Sequence, residues 1–266
     1  MGTRRRLGIL AAAVVVALTV RGRLPAASIP TTIDVAQTSV RSSDRTARST
    51  EPILYDDSTL VLLGTYRVTD GELDSTSASP RDTALWTLVV DTLPEQARRS
   101  IRQMNIVTDG HDGTLAMVHR STVDAGAWVL SIDPAESTAV LVSTLVHEYG
   151  HMLTLRPEDL ASRAASRDHC DGVRIEIGCA QRNSALAAWH DEFWAGLDEP
   201  TTYETRRFVS EYAASNVHED LAESFMAWTL DEVKRPTPAI QQRFAFFALR
   251  PEFVDARNAI RAKLDR

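Results

Sequence analysis

Lysine is almost missing from this chain: Lys234 and Lys263 are the only two, while arginine is plentiful. We read that bias as genomic composition, without functional content. Cysteine is just as scarce. Cys170 and Cys179 are the whole supply, and neither stands directly after the first apolar run, which excludes a lipoprotein anchor. Positive charge is short as well. Residues 1–27 hold five arginines and no acid, so the −7 of the whole chain becomes −12 for the rest. A domain that acidic is a poor candidate for nucleic acid or for an anionic membrane surface. The apolar run Leu7–Val20 has fourteen residues, where a membrane span needs about 20. Internal repeats are absent too.

What is present at the start is a targeting pattern. Arg4, Arg5 and Arg6 precede the apolar run, Arg21 and Arg23 follow it, and Ala26, Ala27 and Ser28 offer a cleavage site. Residues 1–27 are expected to be a signal peptide, with an uncleaved N-terminal anchor as the alternative. Thr3 to Leu7 is also a loose twin-arginine match, so either export route fits. The destination expected is secreted or extracytoplasmic. Ten of the twenty-five residues 28–52 are Ser or Thr and none is aromatic, the composition of a disordered linker. Residues 53–266 remain, enough for one domain with a good core.

Within that domain, Thr59–Val68 reads as a strand with Gly64 as a bulge, followed by a polar loop over Thr69–Arg81. Asp82 is the expected cap of a helix that carries Leu85, Trp86, Val89 and Val90 to about Thr92, with a strand over Thr87–Leu93 as the alternative. A second helix is expected over Pro94–Met104. Three short β pieces follow: Ile106–Thr108, Leu115–His119 and Trp128–Ile132. Asp109 to Gly113 reads as a hairpin turn between the first two, since a calcium loop would need a different spacing. Cys170 and Cys179 close a short loop in an exported chain and are expected as a disulfide worth about 2.5–3 kcal/mol. Metal binding together with His169 is the weaker alternative, because the spacing is not a usual one. Ser184–Leu197 is amphipathic, with Trp189, Phe193 and Leu197 on one face and His190 at the surface.

The chemistry lies in His147-Glu148-Tyr149-Gly150-His151, inside an apolar stretch that starts after Asp133-Pro134. Residues four apart on a helix stand one turn above each other, so His147 and His151 can share one zinc ion. Glu148 lies roughly 100° round the helix, placed to act as a base toward water rather than as a ligand. A catalytic zinc takes three protein ligands. The continuation with Gly at 154 and His at 157 is excluded by Thr154 and Pro157. Candidates for the third ligand crowd into one later segment, His218, Glu219, Asp220 and Glu223, with His169, Glu176 and His190 upstream. Asn216 can cap a helix running to about Leu230, with Leu221, Phe225 and Trp228 as its apolar stripe and Glu219 and Glu223 on one face near it. His218 on that helix starts roughly 100° away from Glu219.

H-E-x-x-H followed by Tyr212, six residues, Glu219, three residues and Glu223 resembles the catalytic domain of anthrax lethal factor and the secreted Pro-Pro endopeptidases. The resemblance covers about 25 motif residues and the order of elements. It implies a zincin or gluzincin type of zinc metallopeptidase, with His147, His151 and Glu219 as ligands and Glu148 as base. It further implies that Tyr212 stabilises the transition state and that Glu223 holds one ligand histidine in place. The 67 residues between His151 and Glu219, cysteine loop included, are no part of the match, and substrate preference does not transfer. The expected fold is α+β, a small twisted mixed sheet on the active-site helix with a mainly helical C-terminal half. The edge strand Leu115–His119 is expected to receive substrate as an added strand. The function expected is an exported, monomeric endopeptidase with one Zn2+ per chain, acting on a peptide or protein. No nucleic acid and no stable membrane insertion are expected once the leader is gone. The alternatives are a secreted non-catalytic binding protein with a structural or vestigial zinc site, and a metal-dependent amidase acting on cell-wall amides.

Overall fold

The computed structural model describes residues 15–19, 60–109, 114–135, 137–162, 169–175 and 177–265. The linker expected over residues 28–52, and the signal peptide expected over residues 1–27 apart from Val15–Thr19, lie outside them. The described strands begin with β1 (Val15–Thr19), β2 (Val61–Thr69) and β3 (Glu72–Leu73). β2 carries the bulge expected at Gly64: its register slips between Leu62, opposite Val107, and Gly64, opposite Ile106. The loop expected over Thr69–Arg81 is more ordered than its composition predicts. Asp70 (φ 52°) and Gly71 (φ 79°) turn β2 back onto β3, two consecutive left-handed residues as a tight hairpin requires.

Helix α1 (Pro80–Thr92) starts earlier than expected, capped by Ser79 and not by Asp82. Ser79 Oγ accepts from the Asp82 N–H, while the Asp82 carboxylate accepts from the Tyr66 hydroxyl at 2.6 Å. The second helix is much shorter than expected. α2 (Glu95–Ser100) stops at Ser100, and Ile101–Thr108 is strand β4. Pairing decides this: β4 has β2 on one side and a further strand on the other, so tertiary contacts override the local helical preference.

Strands β5 (Thr114–Arg120) and β6 (Trp128–Ile132) fall where the sequence places them, but β4 and β5 are not a hairpin. β6 lies between them, antiparallel to β5 and parallel to β4, in the order β1-β5-β6-β4-β2-β3. The connection from β4 to β5 therefore spans two strand spacings, about 10 Å, which a tight turn cannot do. All five residues of β6 are buried, the pattern of a central strand covered on both faces. β5 is also not the outermost strand, because β1 pairs antiparallel along it, Val16 opposite Val118.

The helix that carries His147 and His151 is α3 (Thr138–Thr154), capped by Ser137. Beyond it, β7 (Leu160–Ser162), β8 (Val173–Ile175) and β9 (Gly178–Ala180) form a separate small sheet, order β7-β9-β8. The Cys170–Cys179 disulfide ties it, with a Cα–Cα distance of 5.7 Å. α4 (Ala185–Phe193) is capped by Ser184 and ends four residues before Leu197. α5 (Val217–Leu230), α6 (Pro238–Ala248) and α7 (Pro251–Leu264) complete the helical half. Asn216 caps α5 as expected, its side chain accepting from the Glu219 N–H at 2.9 Å. Met104, Ile106, Val118, Leu130 and Ile132 of the sheet join Leu141, Leu145 and Val146 of α3 in the core. Trp189, Phe225, Trp228, Phe247 and Phe253 continue that core between α4, α5, α6 and α7. Among the described residues no helix is long and apolar enough to cross a membrane.

Gly150 governs how α3 meets α5. A Cβ there would sit 3.1 Å from Ala222 Cα and 3.3 Å from the Phe225 ring, tighter than ordinary packing. The absence of a side chain lets the two backbones approach closely, which brings the acids of α5 to the histidines of α3.

Candidate metal centre

α3 carries the two histidines on its buried face, both with no solvent exposure. Their Nε2 atoms lie 2.9 Å apart and their ring centroids 4.7 Å apart. Glu219 Oε2 reaches into the same point from α5, 3.1 Å from His147 Nε2 and 3.3 Å from His151 Nε2. That oxygen is buried and has no hydrogen bond of good geometry. Donors about 2.0–2.1 Å from one tetrahedral ion stand ~3.3 Å from each other, so the three separations suit a shared metal ion. His147, His151 and Glu219 are the group among the described residues that could hold one.

Glu223, one turn beyond Glu219, turns to the other side of the imidazole. Its Oε1 lies 2.8 Å from His147 Nδ1. A carboxylate accepts, so Nδ1 carries a proton and Nε2 is the nitrogen presented to His151 and Glu219. The electrostatics follow. Burial lowers the His147 pKa, but the close approach of Glu219, the hydrogen bond to Glu223 and the charge of both outweigh it and hold it up to about 10. For His151 burial prevails and the pKa is lowered. Burial raises the Glu219 carboxyl, yet the two histidines more than offset that and hold it well below the usual range.

Glu148 stands apart from the donor set, as its place on the helix requires. Its Oε2 accepts the Val118 N–H of β5 at 2.9 Å, and its buried Oε1 has no partner. Burial pushes its pKa well above the ordinary value. Tyr212 opens a short 3-10 turn, Tyr212–Ala214, with its ring centroid 6.0 Å from that of His147. Burial, then the charges of Glu219 and Glu148 and a hydrogen bond to Glu219, raise its phenol well above 10, so it keeps its proton.

The remaining candidates separate clearly. His169 is exposed beside Asp171, His190 lies next to Asp191, and Glu176 is outside the described residues. Cys170 and Cys179 bond each other. His218 starts off the Glu219 face but its ring is buried against the site, 5.9 Å from the His151 ring, with Nε2 3.7 Å from Glu219 Oε1. Three features went unread in the sequence. Glu199 Oε1 accepts the Val217 N–H at the start of α5, Ser210 donates to Glu223, and Asp220 pairs with Arg243. None had a local signal beyond its residue type. Compared with protein-family profiles, curated proteins and solved structures, the chain matches none.

Proposed function

We propose that the chain is an exported zinc-dependent endopeptidase of zincin type. One observation carries the reading: three buried donor atoms converge within 2.9–3.3 Å while Glu148 stands beside them with a free carboxylate oxygen. His147, His151 and Glu219 would hold the ion. Zinc bound there supplies Lewis acidity, polarising a substrate carbonyl and making water a stronger nucleophile near pH 7. Glu148 takes the proton of the attacking water at Oε1, with Oε2 pinned by the Val118 N–H, and delivers it to the leaving amine. A carboxyl whose pKa is raised by burial can hold that proton between the two transfers. Tyr212, protonated, donates to the developing oxyanion. Glu223 keeps the His147 ring in one tautomer and orientation. Export that removes residues 1–27 takes β1 away and opens the outer edge of β5 to an extended peptide.

The test is a mixed peptide library incubated with the purified protein, with and without a chelator, and read by mass spectrometry. Cuts that vanish with chelator and return with Zn2+ support the reading. An uncut library in the zinc-loaded protein overturns it.

A further inference from the structure

We propose that Ser210 is a positioning residue that locks the Tyr212 turn to His147 through Glu223. The inference rests on the metal-site reading above and names a residue that reading does not use. Ser210 has one proton to give, and it goes to Glu223 Oε2 at 2.5 Å. The same hydroxyl accepts the Ala213 N–H at 3.0 Å, and Ala213 is the middle residue of the Tyr212–Ala214 turn. Glu223 is thus divided: Oε2 is held by Ser210, and Oε1 meets His147 Nδ1 at 2.8 Å.

A continuous chain of hydrogen bonds therefore runs from the backbone of the turn, through one hydroxyl and one buried carboxylate, to an imidazole of the metal site. Rotation of the Glu223 carboxylate would break both of its bonds at once, so the ring of His147 and the turn cannot shift independently. Tyr212 sits between the two residues that Ser210 joins, 210 and 213. Its ring, 6.0 Å from that of His147, is held in register with the donor atoms by this relay. An alanine at 210 would leave Glu223 Oε2 and the Ala213 N–H without these partners. A threonine keeps the donor and the acceptor.

The test uses the full chain in five forms: wild type, Ser210→Ala, Ser210→Thr, Tyr212→Phe and the double variant Ser210→Ala/Tyr212→Phe. Zn2+ affinity is measured by chelator competition without any substrate. Ser210→Ala should weaken Zn2+ about 10-fold, the low end for loss of a group behind a ligand histidine, and Ser210→Thr should restore most of it. At saturating Zn2+, Ser210→Ala should lower kcat with little change in KM. That kcat loss should shrink when Tyr212 is already Phe, while the Zn2+ defect persists. Unchanged Zn2+ affinity in Ser210→Ala overturns the proposal, as does a threonine no better than alanine at matched thermal stability. Wild-type protein that binds no Zn2+ instead overturns the metal-site reading, and this relay with it.

Discussion

Asp220 faces the aromatic side of α5. Arg243 Nη2 lies 3.0 Å from its Oδ2, and the indole N–H groups of Trp189 and Trp194 donate to that same oxygen at 3.0 and 2.9 Å. Ser224 adds a hydroxyl at 3.3 Å from Oδ1, and the Arg243 guanidinium rests over the Phe193 ring at 4.7 Å. Glu219, one residue earlier, faces α3 and meets imidazoles and the Tyr212 phenol, none of them a permanent cation. Both carboxylates are buried. The difference lies in what answers the charge. Asp220 has a permanent cation and a filled set of donors, so nothing further can bind there. Glu219 keeps a buried oxygen with no proper hydrogen bond, beside two nitrogens that can change protonation, in a group that could hold a metal ion. Adjacent residues of one helix thus serve a sealed structural pair and a set of donors that could hold a metal ion.

The pair at Asp220 is not a gain in itself. Burial still leaves the Asp220 carboxyl above its ordinary pKa, although Arg243 and the two indoles pull it down. Removing one partner is another matter, because it strands a buried charge. Arg243→Ala should therefore lower stability by about 3–5 kcal/mol in denaturant titration, while refolded protein still takes up Zn2+. A stable Arg243→Ala that has lost its metal would erase the contrast between the two sides.

Glu148 sharpens the comparison as a third buried carboxylate, tied by one backbone N–H only. Glu148→Gln keeps the shape and the hydrogen bond but cannot take a proton. Turnover should fall by roughly 100- to 10,000-fold with zinc content unchanged, measured by peptide cleavage and metal analysis on the same sample. Wild-type turnover in that variant would remove Glu148 as the base.

On the open side the acids should grade by what they touch. Glu219→Ala should abolish stoichiometric zinc under mild chelation. Glu223→Ala, which leaves the three donors intact, should weaken it by roughly 10- to 100-fold. His218→Ala should have a smaller effect than either. Stripping by His218→Ala with retention by Glu219→Ala would reverse the ligand assignment.

The smallest effect is a proton count. Below about pH 10 the metal-free His147 is protonated, since Glu219 and Glu223 hold its pKa up. A raised pKa in the folded state means that this pairing stabilises the metal-free fold fully below the unfolded value of 6.5. The contribution is lost as pH rises through 10. Ligation needs the neutral ring, so zinc uptake at pH 8 should release about one proton from this histidine. Calorimetry in two buffers of different ionisation heat reads that number. No release would place the proton elsewhere in the metal-free site.

Much of this site was legible because its logic is local. The four-residue interval puts His147 and His151 on one face of α3 whatever surrounds it, and excludes Glu148 from the donor set by angle alone. Asn216 could be read as a cap, Glu219 and Glu223 as one face of α5, and the two cysteines as a pair, all from spacing and residue type. Helices and caps obey rules that span a few residues, so a linear reading reaches them.

The tertiary structure decided what each face meets. Among Glu219, Asp220 and Glu223, helical period alone does not say which acid turns to the histidines and which to Arg243, twenty-three residues later. That choice follows from the close crossing of α3 and α5 that Gly150 permits against Ala222. The order β5-β6-β4 was equally out of reach, because a strand's partners lie across the chain and alternation names only its faces. Ser210 had no signal at all: one hydroxyl among many, whose meaning arises only when folding sets it between a turn and a buried carboxylate.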